Sequence, residues 1–125
     1  MTKEDALHYF MSHLGLTAYQ ENAVPTGEYR PAYPYLTYEV ATGSWDEPIP
    51  LAVSLWYRST SWTAANTMAQ HVSDSITRGG VTVPCDGGML WITRGTPFAR
   101  SMGDDSDDQV KRKLLNIMVE YLTED

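Results

Sequence analysis

An Asp-Gly pair with β-rich runs on both sides constrains the fold more than any other feature. Residues 81–85 (Val-Thr-Val-Pro-Cys) and 89–94 (Met-Leu-Trp-Ile-Thr-Arg) flank Asp86-Gly87-Gly88. A tight hairpin turn needs positive φ angles at its centre, which Asp-Gly provides. The sequence therefore predicts a β-hairpin and, with it, an antiparallel sheet. Pro84 cannot donate to a ladder, so the first arm should lie at a sheet edge or at a bulge.

Two further segments alternate apolar with polar residues, as half-buried strands do. The first covers residues 36–40 and the second covers residues 51–58. The intervening segment, 42–50, contains a glycine and two prolines and is typical of a turn. We expect the two segments to be neighbouring antiparallel strands.

Two segments instead follow the helical period. In the first, Thr2 and Asp5 resemble a capping box and Gly15 follows the end, so a helix is predicted from residue 2 to residue 14. In the second, apolar residues recur every three or four positions from Ala65 to Ile76. Ser59, Thr60 and Ser61 offer N-caps for this second helix, and Gly79-Gly80 offers a stop.

The last segment fits both periods. Alternate residues from Leu115 to Tyr121 fit a strand, whereas Val110, Leu114 and Met118 fit one face of a helix. The segment is rich in residues that form helices poorly, which favours the strand. The complete prediction is one α+β domain over residues 1–125, with a mostly antiparallel sheet of four to five strands and two α-helices packed on one face.

Residues 17–34 follow neither period. They contain three prolines and several tyrosines, and we interpret them as an extended arm, a kind of segment that is more often functional or mobile. Tyrosine and tryptophan combine a large contact area with a polar tip, which suits protein interfaces. Trp91 is expected in the core instead. The candidate interface residues are Tyr19, Tyr29, Tyr33, Tyr35 and Trp45.

The charge balance argues against nucleic acid as the main partner. The 125 residues carry 9 Lys and Arg against 16 Asp and Glu, a formal net charge of −7, whereas phosphate binding needs a concentrated basic face. The one basic run, Lys111 to Lys113, directly follows an acidic run, so its field should be largely cancelled. With no apolar run near the ~20 residues of a membrane span and no export signal, we expect a soluble intracellular protein.

One pair of residues could serve as a nucleophile and its base. Cys85 and His71 are the candidates, and they keep open the alternative of a small cytoplasmic enzyme. A reactive cysteine needs a lowered pKa from a helix N-terminus or a cation, and the predicted hairpin offers neither. A half-buried strand residue is the better interpretation of Cys85. His8 and His13 are interpreted as ordinary polar helix residues because they lie on different faces.

The acidic run from Asp104 to Asp108 raises the alternative of a metal-binding module. A calcium loop of the EF-hand type closes with Glu at its twelfth position, which is Leu115 here. We therefore interpret the run as a solvated acidic loop and expect no metal. The glycine pairs match no phosphate-binding motif, and no cofactor is expected.

Several stretches, in order along nearly the whole chain, resemble a family of small bacteriophage proteins. The family comprises the tail terminator (tail completion) and minor capsid, head–tail joining proteins of long-tailed phages and prophages. The stretches are 54–66 (Ser-Leu-Trp-Tyr-Arg-Ser-Thr-Ser-Trp-Thr-Ala-Ala-Asn), 78–80 (Arg-Gly-Gly), 85–92 (Cys-Asp-Gly-Gly-Met-Leu-Trp-Ile), 94–100 (Arg-Gly-Thr-Pro-Phe-Ala-Arg) and 116–124 (Asn-Ile-Met-Val-Glu-Tyr-Leu-Thr-Glu).

The resemblance implies a structural protein without catalytic residues, cofactor or metal. It implies an α+β fold whose last segment is a strand, and a homo-oligomeric ring, commonly a hexamer, at the head-proximal end of the tail tube. There the ring stops tube polymerisation and contacts tail-tube and neck proteins. The implied location is the virion, after assembly in the cytoplasm of the bacterial host. A head-closure or minor capsid protein of the neck is the alternative in the same family.

Overall fold

The computed structural model describes residues 1–41, 47–104 and 106–123. Two short 3-10 helices, Glu21–Ala23 and Gly27–Tyr29, accompany the regular elements. The regular elements are α1 (Lys3–Ser12), β1 (Ala18–Gln20), β2 (Tyr35–Tyr38), β3 (Pro48–Arg58), α2 (Thr63–Ile76), β4 (Val81–Cys85), β5 (Gly88–Gly103) and β6 (Val110–Thr123).

In these residues, six strands form one sheet in the order β1-β2-β3-β6-β5-β4. Four neighbouring pairs are antiparallel, and β1 pairs with β2 in parallel. The predicted α+β class and the mostly antiparallel sheet are confirmed. The predicted count of four to five strands is wrong, since the sheet has a sixth strand, β1.

The additional strand lies inside the segment predicted as an extended arm. Ala18 pairs with Leu36, and the backbone N–H of Leu36 donates to the carbonyl of Thr17 at 2.9 Å. Ala18 is buried in the core. A strand of three residues is too short to show a period of two, and its partner is separated from it by fourteen residues, so tertiary pairing decides its structure. The rest of the predicted arm lies mostly at the surface and contains the two 3-10 helices.

The last segment is a strand, as predicted, and the helical alternative is wrong. Leu115, Ile117, Val119 and Tyr121 are each at most 1% exposed, while the residues between them are half-buried. β6 lies between β3 and β5, so both of its edges are paired. A central strand buries every second side chain on the core face, which explains the period that the sequence shows.

The Asp-Gly hairpin is confirmed. Cys85 pairs with Gly88, which leaves Asp86 and Gly87 as a two-residue turn, and Gly87 has φ of 81°. Pro84 lies in β4, an outer strand of the sheet, as its missing donor requires. β5 continues beyond the predicted arm to Gly103, past a register shift between Arg94 and Ala99.

The segment predicted as a turn between β2 and β3 is shorter than expected. β3 begins at Pro48, and Pro48 and Pro50 both pair with β6, whereas β2 pairs with β3 only from Val53 to Trp56. The two prolines therefore lie where β3 has a paired neighbour on one side. Residues 42–46 of this turn lie outside the described residues.

Both helices begin near their predicted starts. The Thr2 hydroxyl caps α1 by accepting from the backbone N–H of Asp5 at 3.1 Å. α2 begins after Trp62, and the Ser61 hydroxyl accepts from the backbone N–H of Thr63 at 3.0 Å. α2 ends at Ile76, before the predicted stop at Gly79-Gly80.

The helices share one face of the sheet, as predicted. α1 contacts β1, β4 and β5, while α2 contacts β3, β5 and β6. Leu7 of α1 and Val72 of α2 belong to the same hydrophobic cluster as Val53 and Ile117 of the central strands. The opposite face of the sheet, called the open face below, carries the alternate strand residues. No helix within residues 1–41, 47–104 and 106–123 has the length and apolar character to cross a membrane.

Candidate functional site

The open face carries a cluster of aromatic rings at the end of the sheet formed by β1, β2 and β3. The alternation of β2 places Tyr35 on this face beside its cross-strand partner Trp56, and Tyr19 of β1 lies beside Thr37. The Tyr35 and Trp56 rings are stacked, with centroids 6.1 Å apart and planes 15° apart. Tyr19 meets Tyr35 edge-on at 6.2 Å, and the Tyr33 ring lies 5.5 Å from Tyr35. We call Tyr19, Tyr33, Tyr35 and Trp56 the aromatic cluster.

Arg112 of β6 extends the aromatic cluster toward the middle of the sheet. Its guanidinium lies 4.9 Å from the Trp56 ring centroid, within cation–π range. Its Nε donates to the Ser54 hydroxyl at 3.0 Å, and the Trp56 indole N–H donates to the Thr37 hydroxyl at 2.9 Å. Thr37 and Ser54 are only 6% and 4% exposed. The aromatic rings and Arg112 therefore cover polar groups that would otherwise face solvent on the open face.

A surface concavity of about 1200 Å³ lies beside the aromatic cluster. The segment from Val24 to Tyr35 forms one wall and the loop around Asp107 forms the other. Arg58 at the end of β3 forms an ion pair with the Asp107 carboxylate and holds the pKa of Asp107 below its ordinary value. The pKa of Tyr35 is raised, chiefly because its hydroxyl is partly buried. The lining of the concavity therefore combines the neutral phenol of Tyr35 with the ion pair between Arg58 and Asp107.

The structure brings three of the five predicted interface residues together. Tyr19, Tyr33 and Tyr35 all belong to the aromatic cluster. Tyr29 lies apart in the second 3-10 helix and is 76% exposed. Trp45 lies outside the described residues. The interface role of all five stays a prediction.

Two members of this surface were missed by the sequence reasoning. Trp56 occupies a polar position in the alternation of β3, which is the signal that could have placed it on the open face. Arg112 becomes its neighbour only through the pairing of β3 with β6. The expectation that Trp91 lies in the core is wrong. Its side chain is 37% exposed, and its indole N–H donates to the carbonyl of Gly79 at 3.0 Å.

The structure places Cys85 in surroundings that disfavour a thiolate. The side chain is half-buried at the end of β4, and burial, followed by the Asp86 carboxylate, raises the thiol pKa. A nucleophilic cysteine needs the opposite shift. His71 is exposed on α2, a helix that packs mainly on β3, β5 and β6.

The acidic run forms a turn whose carboxylates accept hydrogen bonds from the chain itself. Asp104 accepts from the backbone N–H of Ser106 at 2.8 Å and from its hydroxyl at 2.7 Å, which lowers the pKa of Asp104. Asp107 accepts from the backbone N–H of Gln109 at 3.0 Å. Asp105 lies outside the described residues. Among the residues described, no group of three or more His, Cys, Asp or Glu side chains is arranged to hold a metal ion.

The two N-terminal histidines each lie within hydrogen-bond distance of another group of the fold. His8 lies 2.6 Å, through Nδ1, from the hydroxyl of Tyr38, and His13 lies 2.7 Å, through Nδ1, from the carbonyl of Tyr9. These contacts agree with the interpretation of both histidines as ordinary polar helix residues.

Comparison with known proteins shows the fold alone. No protein-family model matches the sequence, and no curated protein matches it. A solved protein structure, whose name states no function, matches with a TM-score of 0.59 at 17% sequence identity. The match covers 97% of this chain and 95% of the other. The chain therefore has the same overall fold as that protein over nearly its whole length.

Proposed function

We propose that this chain is a tail terminator of a long-tailed bacteriophage or prophage. In this proposal, six copies of the chain form a ring at the head-proximal end of the tail tube. The ring stops tube polymerisation and presents a surface to the neck proteins. The protein acts by assembly, without catalysis, cofactor or metal, in the virion after assembly in the bacterial cytoplasm.

The observation that carries the proposal is the aromatic cluster on the open face. Tyr33 is 40% exposed, and its neighbours Tyr35 and Trp56 are fixed by stacking and by the hydrogen bond to Thr37. Aromatic residues held in place lose little conformational freedom on binding, and they are enriched at the centres of protein interfaces. The sequence resemblance to the tail terminator family suggests that such a surface is used in a ring at the end of the tail tube.

The charge of the chain also fits this role. A net charge of −7 keeps free subunits apart in solution. DNA that passes through a ring of such subunits meets a weakly repelling wall. No sequence-specific binding of nucleic acid is part of the proposal.

Deleting the gene from the parent phage or prophage tests the proposal. Electron microscopy should show tails of uncontrolled length that fail to join heads, and normal virions would contradict the proposal. Complementation with Tyr33→Ala should restore fewer joined particles than the wild-type gene does. Complementation with Tyr9→Ala, which changes an exposed tyrosine on α1, should restore them fully.

The same experiment distinguishes the neck alternative. A head-closure protein would co-purify with particles that contain capsid and portal, and its loss would leave tails of normal length. Tails of normal length that fail to join heads would therefore move the proposal from the tail tube to the neck.

A further inference from the structure

The open face has an apolar region on the half of the sheet away from the aromatic cluster. The residues that alternate with the buried ones on β3, β4, β5 and β6 point away from the helices, and many of them are apolar. The solvent-facing side of an antiparallel sheet is ordinarily polar. We call this region the apolar patch. It consists of Pro50, Pro84, Met89, Trp91, Leu114, Met118 and Leu122.

Two large side chains of the apolar patch are well exposed. Met89 is 40% exposed and Trp91 is 37% exposed. The Trp91 indole N–H donates to the carbonyl of Gly79 at 3.0 Å, and a Cβ on Gly80 would lie 2.5 Å from the indole nitrogen. The Trp91 ring is therefore fixed in its exposed position. A side chain that is already fixed loses little freedom when another surface covers it.

Charge does not select the partner of the apolar patch. The described charged residues of the open face that border the patch are Arg100 opposite Leu114, Glu39 beside Ala52, and Glu120 opposite Trp91. Arg112 and the acidic loop that begins at Asp104 lie beyond Leu114. With one positive and two negative neighbours, the patch favours neither a strongly acidic nor a strongly basic surface.

The size of the apolar patch fits a contact between two copies. It spans four neighbouring strands, which is about 19 Å at ~4.8 Å per strand. Leu114 and Leu122 are eight residues apart, which is about 26 Å at ~3.3 Å per residue. The flat area is therefore about 500 Å² on one copy and about 1,000 Å² on two copies. A specific protein interface needs about 1,000 Å² in total.

We propose that the apolar patches of two free copies pack face to face, so that the unassembled protein is a symmetric dimer. An apolar surface with little charge is complementary to itself, and a surface that binds its own copy gives a closed two-fold dimer. In such sheet packing the strands of the two sheets lie within about 30° of each other, and side chains fill a layer about 10 Å thick. The inference goes beyond the proposed function, since it concerns copies before assembly and leaves the aromatic cluster outside the contact.

Substitutions of opposite charge at Met89 test the contact on the purified full-length chain. Met89→Lys and Met89→Glu should each weaken dimerisation at least about tenfold, because either charge would be taken out of water at the contact. Sedimentation velocity over rising protein concentration measures the loss. Tyr9→Lys and Tyr9→Glu are the matched controls, since Tyr9 is a 50% exposed residue of α1 on the opposite side of the sheet. Both controls should dimerise like the wild type.

The salt dependence separates apolar packing from ion pairing. Two copies with a net charge of −7 each repel one another, and salt screens this repulsion. Dimerisation of the wild type should therefore strengthen as NaCl rises from about 50 to about 500 mM. A dimer held by ion pairs would weaken over the same range.

Methionine oxidation locates the contact without relying on a substitution. Met118 lies within the apolar patch, and hydrogen peroxide converts accessible methionines to the sulfoxide. Mass spectrometry of the wild type should show slower oxidation of Met89 and Met118 at high protein concentration than at low concentration. In Met89→Lys, Met118 should oxidise at the same rate at both concentrations.

The outcomes distinguish this inference from the proposed function. A wild type that stays monomeric at every concentration overturns the pairing, and so does a dimer that both Met89 variants retain or that weakens as salt rises. The gene deletion decides the tail terminator role separately, because tail length is measured in the phage. A dimer that both Met89 variants lose and both Tyr9 variants retain supports the pairing even where the deletion leaves normal virions.

Discussion

Trp56 connects the aromatic cluster to buried polar groups beneath it. Replacing it in Trp56→Phe removes the indole N–H that donates to the Thr37 hydroxyl and leaves that 6% exposed group without this partner. Loss of one hydrogen bond to a buried group costs about 1–3 kcal/mol. We expect the free energy of unfolding in urea to fall by about that amount.

The matched control for this prediction is Trp62→Phe. Trp62 is a half-buried tryptophan before α2, and its ring lies near the side-chain amines of Lys111 and Lys113. Phenylalanine keeps an aromatic face there, so the unfolding free energy should change by less than about 1 kcal/mol. Equal losses in the two variants would show that the Thr37 hydrogen bond contributes nothing of its own.

Buried tyrosines should make the protein sensitive to alkaline pH. Tyr38 is 1% exposed and Tyr121 is fully buried, and burial raises the pKa of both phenols above the ordinary value of 10.0. Above pH 10 the unfolded chain loses these protons while the folded chain keeps them. The contribution of these two tyrosines to the free energy of unfolding is complete below pH 10 and is lost as the pH rises further.

Urea unfolding at pH 8, 10 and 11 measures this effect. The wild-type unfolding free energy should decrease above pH 10, and Tyr38→Phe should show a smaller decrease. Tyr29→Phe, which replaces an exposed tyrosine, should keep the wild-type decrease. A Tyr38→Phe profile that parallels the wild type would contradict the assignment to Tyr38.

At the scale of single residues, the sequence indicated which residues suit an interface better than it indicated which residues contact one another. Tyr19, Tyr33 and Tyr35 were chosen because aromatic residues suit interfaces, and they do lie together. Trp56 and Arg112 were missed because their contact depends on which strands pair, and that pairing links residues 56 positions apart. Local spacing carries no information about such a contact.

The segment between β1 and β2 should be dispensable for folding. Replacing residues 24–32 with a Gly/Ser linker of the same length removes mostly exposed residues and retains β1. We expect the unfolding free energy to change by no more than about 1 kcal/mol. Under the proposed function, self-association should weaken, because this segment forms one wall of the concavity beside the aromatic cluster.

Removing residues 17–34 is the informative comparison. It deletes β1, takes Ala18 out of the core and removes the Thr17 carbonyl that accepts from Leu36. We expect this larger deletion to lower the unfolding free energy by several times more than the linker replacement. Equal stability of the linker variant and the deletion variant would show that β1 contributes little to the sheet.

Among the elements, those with a clear period were predictable. β6 buries every second residue, and its alternation correctly indicated a strand. The hairpin of β4 and β5 follows from Asp86-Gly87 because few other residue pairs adopt the required turn. β1 was not predictable, since three residues show no period and parallel pairing with β2 is a tertiary event.

The whole chain should unfold as one unit. Side chains from both helices and from all six described strands belong to one hydrophobic cluster. Tryptophan fluorescence and far-UV circular dichroism should therefore give coincident urea transitions, with a slope of about 1–3 kcal/mol/M. Separate transitions would show that part of the chain folds independently.

The outer strands of the sheet have a consequence for the free subunit. β1 has only three residues, and β4 carries Pro84, which has no N–H to donate. Short edges and edge prolines oppose the addition of a strand from another molecule, which is the step that starts a cross-β fibre. Under the proposed function, copies are therefore expected to meet through side chains rather than through backbone ladders. Such edges let free subunits accumulate at high concentration without seeding amyloid.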